Sequence, residues 1–290
     1  MRISEYVAAN GIDSFSLEDF FYVGSKVSSD PSRLVLVGGQ AIEAWGHYFK
    51  VVAPTGNAQP LTEDTDWYGD RKAAIWLCNL LGSETTQLTL ADGFDPSPNT
   101  AVALHQRPDG RVVMMDFLRS LVGIHPNDIT TRAVPVQVGP VKLHILHPLL
   151  CLESRLANLE KLPGKRNLNG KMQAEWAVKI VEAFLRELVG GGAPNKQLMK
   201  AISEVAESAE FRSGPYCFDE FQIDPLKAVS PDVIEAVGGL FVSEDWPRRV
   251  ARIQAKRAQR VKRQDLLQQR VTYKFTLTSP KPAPSMLRKP

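Results

Sequence analysis

The chain reads as a mixed α/β, or α+β, protein: a mixed sheet with flanking helices, followed by a helical C-terminal domain. Three observations carry that reading. Aliphatic-rich runs at 34–37, 86–90, 100–106, 111–118, 133–138 and 141–146 are short and bounded by turn residues, as strands are. Apolar residues at helical spacing lie between the earlier runs, so strands are first interrupted by helices and later joined in hairpins. Beyond Pro148 only helical periodicity remains. The predicted organisation is a sheet domain over 1–146, a helical domain over 147–244, a basic helix with a short extension over 245–277, and a disordered Pro-rich tail over 278–290.

Composition narrows the class. With 43% hydrophobic and 23% charged residues the chain is ordinary for a soluble protein. It has no apolar run near 18 residues and no basic-then-apolar start, which predicts neither a membrane span nor a secretory signal and places it in the cytoplasm. Cys78, Cys151 and Cys217 are odd in number and scattered, which fits buried thiols in a reducing compartment better than disulfides or zinc.

Taken in order, residues 3–9 and 16–21 are helical pieces, the second with Ser16 as N-cap and Asp19 at the third helical position. The strand at 34–37 breaks at Gly38-Gly39, and Ala41, Ile42, Trp45, Tyr48 and Phe49 then recur at helical spacing. A loop rich in Pro, Gly and Asn spans 53–60, before an extended segment at 64–68. Over 69–81 the apolar side of a helix is assigned to Ala73, Ile75, Trp76, Leu77, Leu80 and Leu81. After the strand at 86–90, Arg107-Pro108-Asp109-Gly110 joins 100–106 to 111–118 as a hairpin, and Gly139-Pro140 joins 133–138 to 141–146. Pro148 opens a helix with Leu152, Leu156 and Leu159 on one side. A basic loop follows at 163–170, with Lys165 and Arg166 in it and Lys171 just after. Met172, Trp176, Ile180, Phe184 and Leu188 then mark a helix that ends at Gly190-Gly191-Gly192. Another helix covers about 194–210, and 211–231 reads as a less regular, aromatic stretch.

Two pieces of this pattern carry chemistry. A strand turning through Gly-Gly into a helix leaves backbone N–H groups at the helix start, a ready anion site at Gly38, Gly39 and Gln40. In an extended segment Asp64 and Asp66 project to one face, where two like charges repel unless a cation sits between them; the pair points to a divalent metal. Asp116 is the one charge in the apolar strand 112–118. His144 and His147 leave a strand end with no third ligand in sight and are read as structural or exposed. Near the C-terminus, Arg249, Arg252, Lys256, Arg260 and Arg263 follow at steps of three, four, four and three, a basic stripe suited to RNA or to an acidic partner protein.

Gly-Gly at a strand–helix turn, Asp-x-Asp in the next strand and a carboxylate on a later strand resemble the nucleotidyltransferase fold of the DNA polymerase β superfamily. Within it, the arrangement is similar to the AbiE-type abortive-infection toxin nucleotidyltransferases of bacteria. The resemblance spans residues 34–188. It implies a nucleotidyltransferase-type sheet, with Asp64, Asp66 and Asp116 as catalytic ligands of Mg²⁺ or Mn²⁺ and an NTP as substrate. Thr62, two residues before Asp-x-Asp, matches a Thr or Ser common in that branch. Lys165 and Lys171, together with Arg155, answer to its basic nucleotide-binding segment. Gln173 and Glu175 stand where a late Asp is expected, a departure from the pattern. The implied acceptors are RNA such as tRNA, a protein, or a small molecule, and the implied setting is phage defence or a toxin–antitoxin pair with a cognate antitoxin protein. The alternative is a catalytically degenerate module that binds nucleic acid or a partner protein.

Overall fold

A computed structural model of the chain describes residues 11–54, 64–92, 94 and 96–278, with side chains described as far as 267. The helix expected at 3–9, most of the loop at 53–60, Thr62 and the tail from 279 lie outside these residues. The chain divides into two compact units, Met1–Gly239 and Leu240–Pro290.

The first unit is built on a seven-stranded mixed sheet in the order β3-β4-β5-β2-β1-β7-β6. Its strands are β1 (Val35–Leu36), β2 (Asp64–Tyr68), β3 (Thr86–Leu90), β4 (Asn99–Gln106), β5 (Val112–Leu118), β6 (Val134–Val138) and β7 (Val141–Ile145). The pairs β2–β5 and β1–β7 are parallel, and the rest are antiparallel. Both expected hairpins form, because each has a short turn between runs of alternating residues. Strand β1, between the central β2 and β7, is only two residues long. The Val37 N–H donates to the Asp66 carbonyl at 3.0 Å, and the Leu146 N–H to the Leu36 carbonyl at 2.9 Å, so its neighbours remain tied where the ladder stops.

The helices of this unit are α1 (Leu17–Val27), α2 (Gly38–Phe49), α3 (Arg71–Leu81), α4 (Pro126–Thr131), α5 (Pro148–Lys161), α6 (Leu168–Gly190), α7 (Asn195–Glu210), α8 (Gly214–Phe221) and α9 (Pro231–Val237). Ser16 and Asp19 form the expected capping box on α1. Asp19 does more than cap. It is fully buried and paired with Arg107 at 2.5 Å and Arg111 at 3.2 Å, which ties α1 to the β4–β5 turn. Burial alone would raise its pKa, but the Ser16 hydrogen bonds and the two guanidinium groups outweigh burial and hold it below the ordinary value. Asp19→Ala should therefore cost about 3 kcal/mol in chemical denaturation, since it leaves two cations without their buried partner.

Helix α2 packs closely on α6. A Cβ at Gly46 would lie 2.3 Å from Cζ2 of Trp176, and the Trp176 indole N–H donates to the Val51 carbonyl at 3.1 Å. Trp45 donates to the Leu146 carbonyl at 2.8 Å, locking the other side of α2 to the end of β7. Pro148 opens α5 as expected, and Leu152, Leu156 and Leu159 are buried. His147 is the N-cap of α5: its Nδ1 accepts from the Leu149 N–H at 3.2 Å. Burial, with Arg132 and Lys200 nearby, pushes its pKa down to about 4, so the ring is neutral and fit to accept.

Several expectations need correction. Ile75 and Leu80 are exposed on α3, whose buried face is Ala73, Ala74, Leu77, Cys78 and Leu81; spacing alone put too wide an arc inside. The basic loop is shorter than expected, since α6 already begins at Leu168, capped by the Asn167 side chain on the Gly170 N–H at 2.8 Å. The less regular stretch 211–231 does hold one short helix, α8, for which Pro215 in the first turn was the available signal, and a 3-10 turn at Pro225–Ala228. Helix α4, with Pro126 in its first turn, has too few turns to show a periodicity. All three cysteines are buried and free. Among the described residues no helix is long and apolar enough to cross a membrane. The second unit is dominated by one helix, α10 (Trp246–Thr278), preceded by a π-helical turn at Phe241–Asp245.

Candidate functional site

The parallel pairing of β2 with β5 sets the site. Its register places Asp66 opposite Asp116, with Asp64 opposite Met114 and Trp67 opposite Phe117. Because side chains alternate along a strand, Asp64, Asp66 and Asp116 share one face. Thr65, Trp67, Met115 and Phe117 turn to the other and are fully buried. The three aspartates are half-buried, and each offers a carboxylate oxygen within 4.8 Å of the others'. An all-oxygen carboxylate set with no His or Cys suits a hard divalent cation such as Mg²⁺ or Mn²⁺.

Helix α2 closes one side of the cluster. Gly38 opens the helix at φ +69°, where an L side chain is strained, and a Cβ built on it would fall 1.8 Å from Oδ2 of Asp66. The residue must be glycine for two independent reasons, its backbone conformation and the carboxylate seated against it. The N-cap Val37 supplies no side-chain hydrogen bond, so the first turn at Gly38, Gly39 and Gln40 has no side-chain cap. The Gln40 side chain is buried and donates to Glu43 at 3.2 Å.

The electrostatics of the cluster follow from crowding. Burial, then the charge of Asp64, pushes Asp66 up to about 7; Asp116 adds to the rise, while Arg155 and Lys165 oppose it. Asp116 is raised to about 6 by burial and Asp64, against a hydrogen bond from Asn99 and the charge of Lys165. Asn99 sits where the β4–β5 register shifts, which brings its amide to Asp116. Nothing in the sequence singled it out.

Two cations reach this cluster from the helical half of the chain. Arg155 on α5 interacts electrostatically with Asp66 and Asp64, although burial lowers its own pKa. One guanidinium nitrogen donates to Gln173 Oε1 at 2.8 Å, while its buried Nε has no hydrogen-bond partner. Gln173, one of the two residues that stand where a late Asp was expected, is thus a neutral partner that leaves the positive charge of Arg155 to the aspartates, while the other, Glu175, is exposed. Lys165 is exposed on the short turn Pro163–Lys165 and acts on Asp66 and Asp116 through its charge. Lys171 is placed differently: its ammonium lies 4.8 Å from the centroid of the Phe221 ring. Of the remaining expected positions, Arg249, Arg252, Lys256, Arg260 and Arg263 belong to α10 in the second unit.

No protein-family model matches this chain, and no curated protein matches it.

Proposed function

We propose that the protein transfers a nucleotidyl group from a nucleoside triphosphate to an acceptor hydroxyl, with the three aspartates at its catalytic centre. The observation that carries the reading is the register of β2 on β5, which sets Asp66 against Asp116 under the glycine-opened start of α2. Asp64, Asp66 and Asp116 would hold divalent metal, which when bound supplies charge neutralisation at the triphosphate and at the leaving pyrophosphate. The backbone N–H groups of Gly38, Gly39 and Gln40 face anionic oxygens with the positive end of the α2 dipole. Arg155 and Lys165 balance the carboxylates and orient phosphate oxygens by charge. Asp116, on the strand beside Asp66, is placed to assist removal of the proton from the acceptor hydroxyl. The hydroxyl oxygen then bonds to the α-phosphorus, the bond from that phosphorus to the β-phosphate oxygen breaks, and pyrophosphate leaves with the electron pair.

Gln173 is the observation that favours the second reading, a module that binds nucleotide without transferring it: of Gln173 and Glu175, the two residues that stand about where the resemblance calls for a late Asp, the one that meets Arg155 is a neutral amide, and Glu175 is exposed. Equilibrium binding of an NTP with Mg²⁺ but no product in a single-turnover assay would select it. Restored turnover in Gln173→Asp would locate the defect.

Metal binding should depend on pH in a defined direction. Asp66 and Asp116 have pKa values raised to about 7 and about 6, so below that range they carry protons that a cation must displace. Mn²⁺ affinity, read by electron paramagnetic resonance, should rise by about tenfold per pH unit for each proton displaced and level off above pH 7. Flat affinity from pH 5 to 8 would mean that the cation binds elsewhere. The cation-free protein carries the opposite signature. Carboxylates raised in the folded state contribute stability that is present below the ordinary pKa and lost as pH climbs to about 7, and added Mn²⁺ should restore it.

A further inference from the structure

Charge is divided unequally between the two units. Residues 240–290 hold 13 Lys and Arg against 3 Asp and Glu, a net +10, so residues 1–239 carry −7 of the chain's net +3. A unit of net −7 does not draw a polyanion toward its carboxylate cluster. The excess of positive charge lies in the second unit.

Within that unit the charge has a shape. At 3.6 residues per turn, Lys262, Arg248, Arg252, Arg263, Lys256, Arg249 and Arg260 fall within an arc of about 160°, along about 22 Å of helix. Arg248, Arg252, Lys262 and Arg263 are exposed, with Arg248 paired to Glu244 at 3.2 Å on the surface, while Arg249, Lys256 and Arg260 are half-buried; Arg252, like those three, also engages a partner. The exposed centre of the basic face is therefore displaced from the stripe that spacing picks out. Asp265 is the one acid in Trp246–Thr278. A helix that docks in a protein groove shows apolar anchors at i, i+3 or i+4, and i+7. Here Val250, Ile253, Val261 and Leu266 do not keep that spacing, and Arg257 interrupts them. The continuous feature is charge, and guanidinium groups dominate it, which suits the bidentate recognition of phosphate.

We propose that the exposed basic face of α10, centred on Arg248, Arg252, Lys262 and Arg263, binds the phosphate backbone of single-stranded RNA. The choice of RNA rests on the nucleotidyltransferase reading: the polyanion must also present a hydroxyl that can serve as the acceptor. An unstructured RNA end does this.

The test uses the full chain and a fluorescein-labelled single-stranded RNA of about 20 nucleotides, long enough to span the basic face. Anisotropy is followed across a salt series without nucleotide or metal. The parent should bind with a log–log salt slope of about −3, from about four neutralised phosphates. The fourfold variant R248Q/R252Q/K262Q/R263Q keeps good helix formers. It should flatten the slope by about 3 and weaken binding at least about tenfold, with an unchanged circular dichroism spectrum. Arginine-to-lysine changes at Arg248, Arg252 and Arg263 should keep the parent's slope; loss equal to that of the glutamine set would mean that charge is not the cause and would overturn the assignment. An unchanged slope in the glutamine variant would overturn it as well. Displacement of the RNA by polyglutamate at equal charge concentration would replace RNA with an acidic protein partner, and equal affinity for DNA of the same sequence would remove the preference for RNA. Asp64→Ala should retain the parent's slope, so loss of transfer and loss of RNA binding are read separately.

Discussion

Asp66→Asn is expected to abolish transfer and at the same time to stabilise the cation-free protein. The side chain is nearly isosteric, so the seat against Gly38 is kept. What disappears is one of three carboxylates crowded within 4.8 Å, the one whose pKa burial and Asp64 push up to about 7. Above that pH the parent must hold the charge against its neighbours, and the amide need not. Relief of about 1–2 kcal/mol is expected, after allowance for the water that reaches the cluster. The gain should vanish below pH 4, where the parent carboxylate is protonated too, and reverse when Mn²⁺ is added to the parent. Thermal melts at pH 8 and pH 4, with and without Mn²⁺, measure all of this. A variant less stable than the parent at pH 8 without cation would show that Asp66 serves the fold rather than the site.

Gly38→Ala should damage the fold and the site together. The residue sits at φ +69°, and its new Cβ would overlap Oδ2 of Asp66, which β2 holds in place. Either α2 must unwind at its start or the carboxylate must leave the cluster. The first route removes the N–H groups assigned to the triphosphate, and the second removes a metal ligand. A loss of about 2–3 kcal/mol is expected from strain and displacement together, with turnover lowered by at least about two orders of magnitude. Gly164→Ala is the control, because a Cβ there meets nothing within 4 Å. Wild-type turnover in Gly38→Ala would detach the glycine turn from the chemistry.

The sheet and its site were legible in the sequence to different depths. Both hairpins were visible because alternation and turn chemistry are local, and Ser16 with Asp19 was visible because a capping box fits within four residues. That Asp64 and Asp66 share a face followed from the two-residue period of a strand. The pairing of Asp66 with Asp116 did not follow from any local rule. It depends on a parallel register between segments far apart in the chain, and only the apolar setting of Asp116 hinted at it. Asn99 reaches the site through a register shift, and Arg155 through the packing of a later helix, and neither leaves a trace in spacing. Helix α3 shows the converse limit: periodicity located it, but which apolar residues turned inward was decided by what covered them, so Ile75 and Leu80 remain in water.

The central claim is that the aspartate cluster moves a nucleotidyl group and not a phosphoryl group. Paired reactions with α-labelled and γ-labelled NTP, run with Mg²⁺ and an RNA acceptor on the parent and on Asp64→Ala, test it most directly. The account predicts that α label joins the acceptor, that γ label appears in pyrophosphate, and that Asp64→Ala does neither. Transfer of γ label to the acceptor, or α-label transfer undiminished in Asp64→Ala, would contradict it.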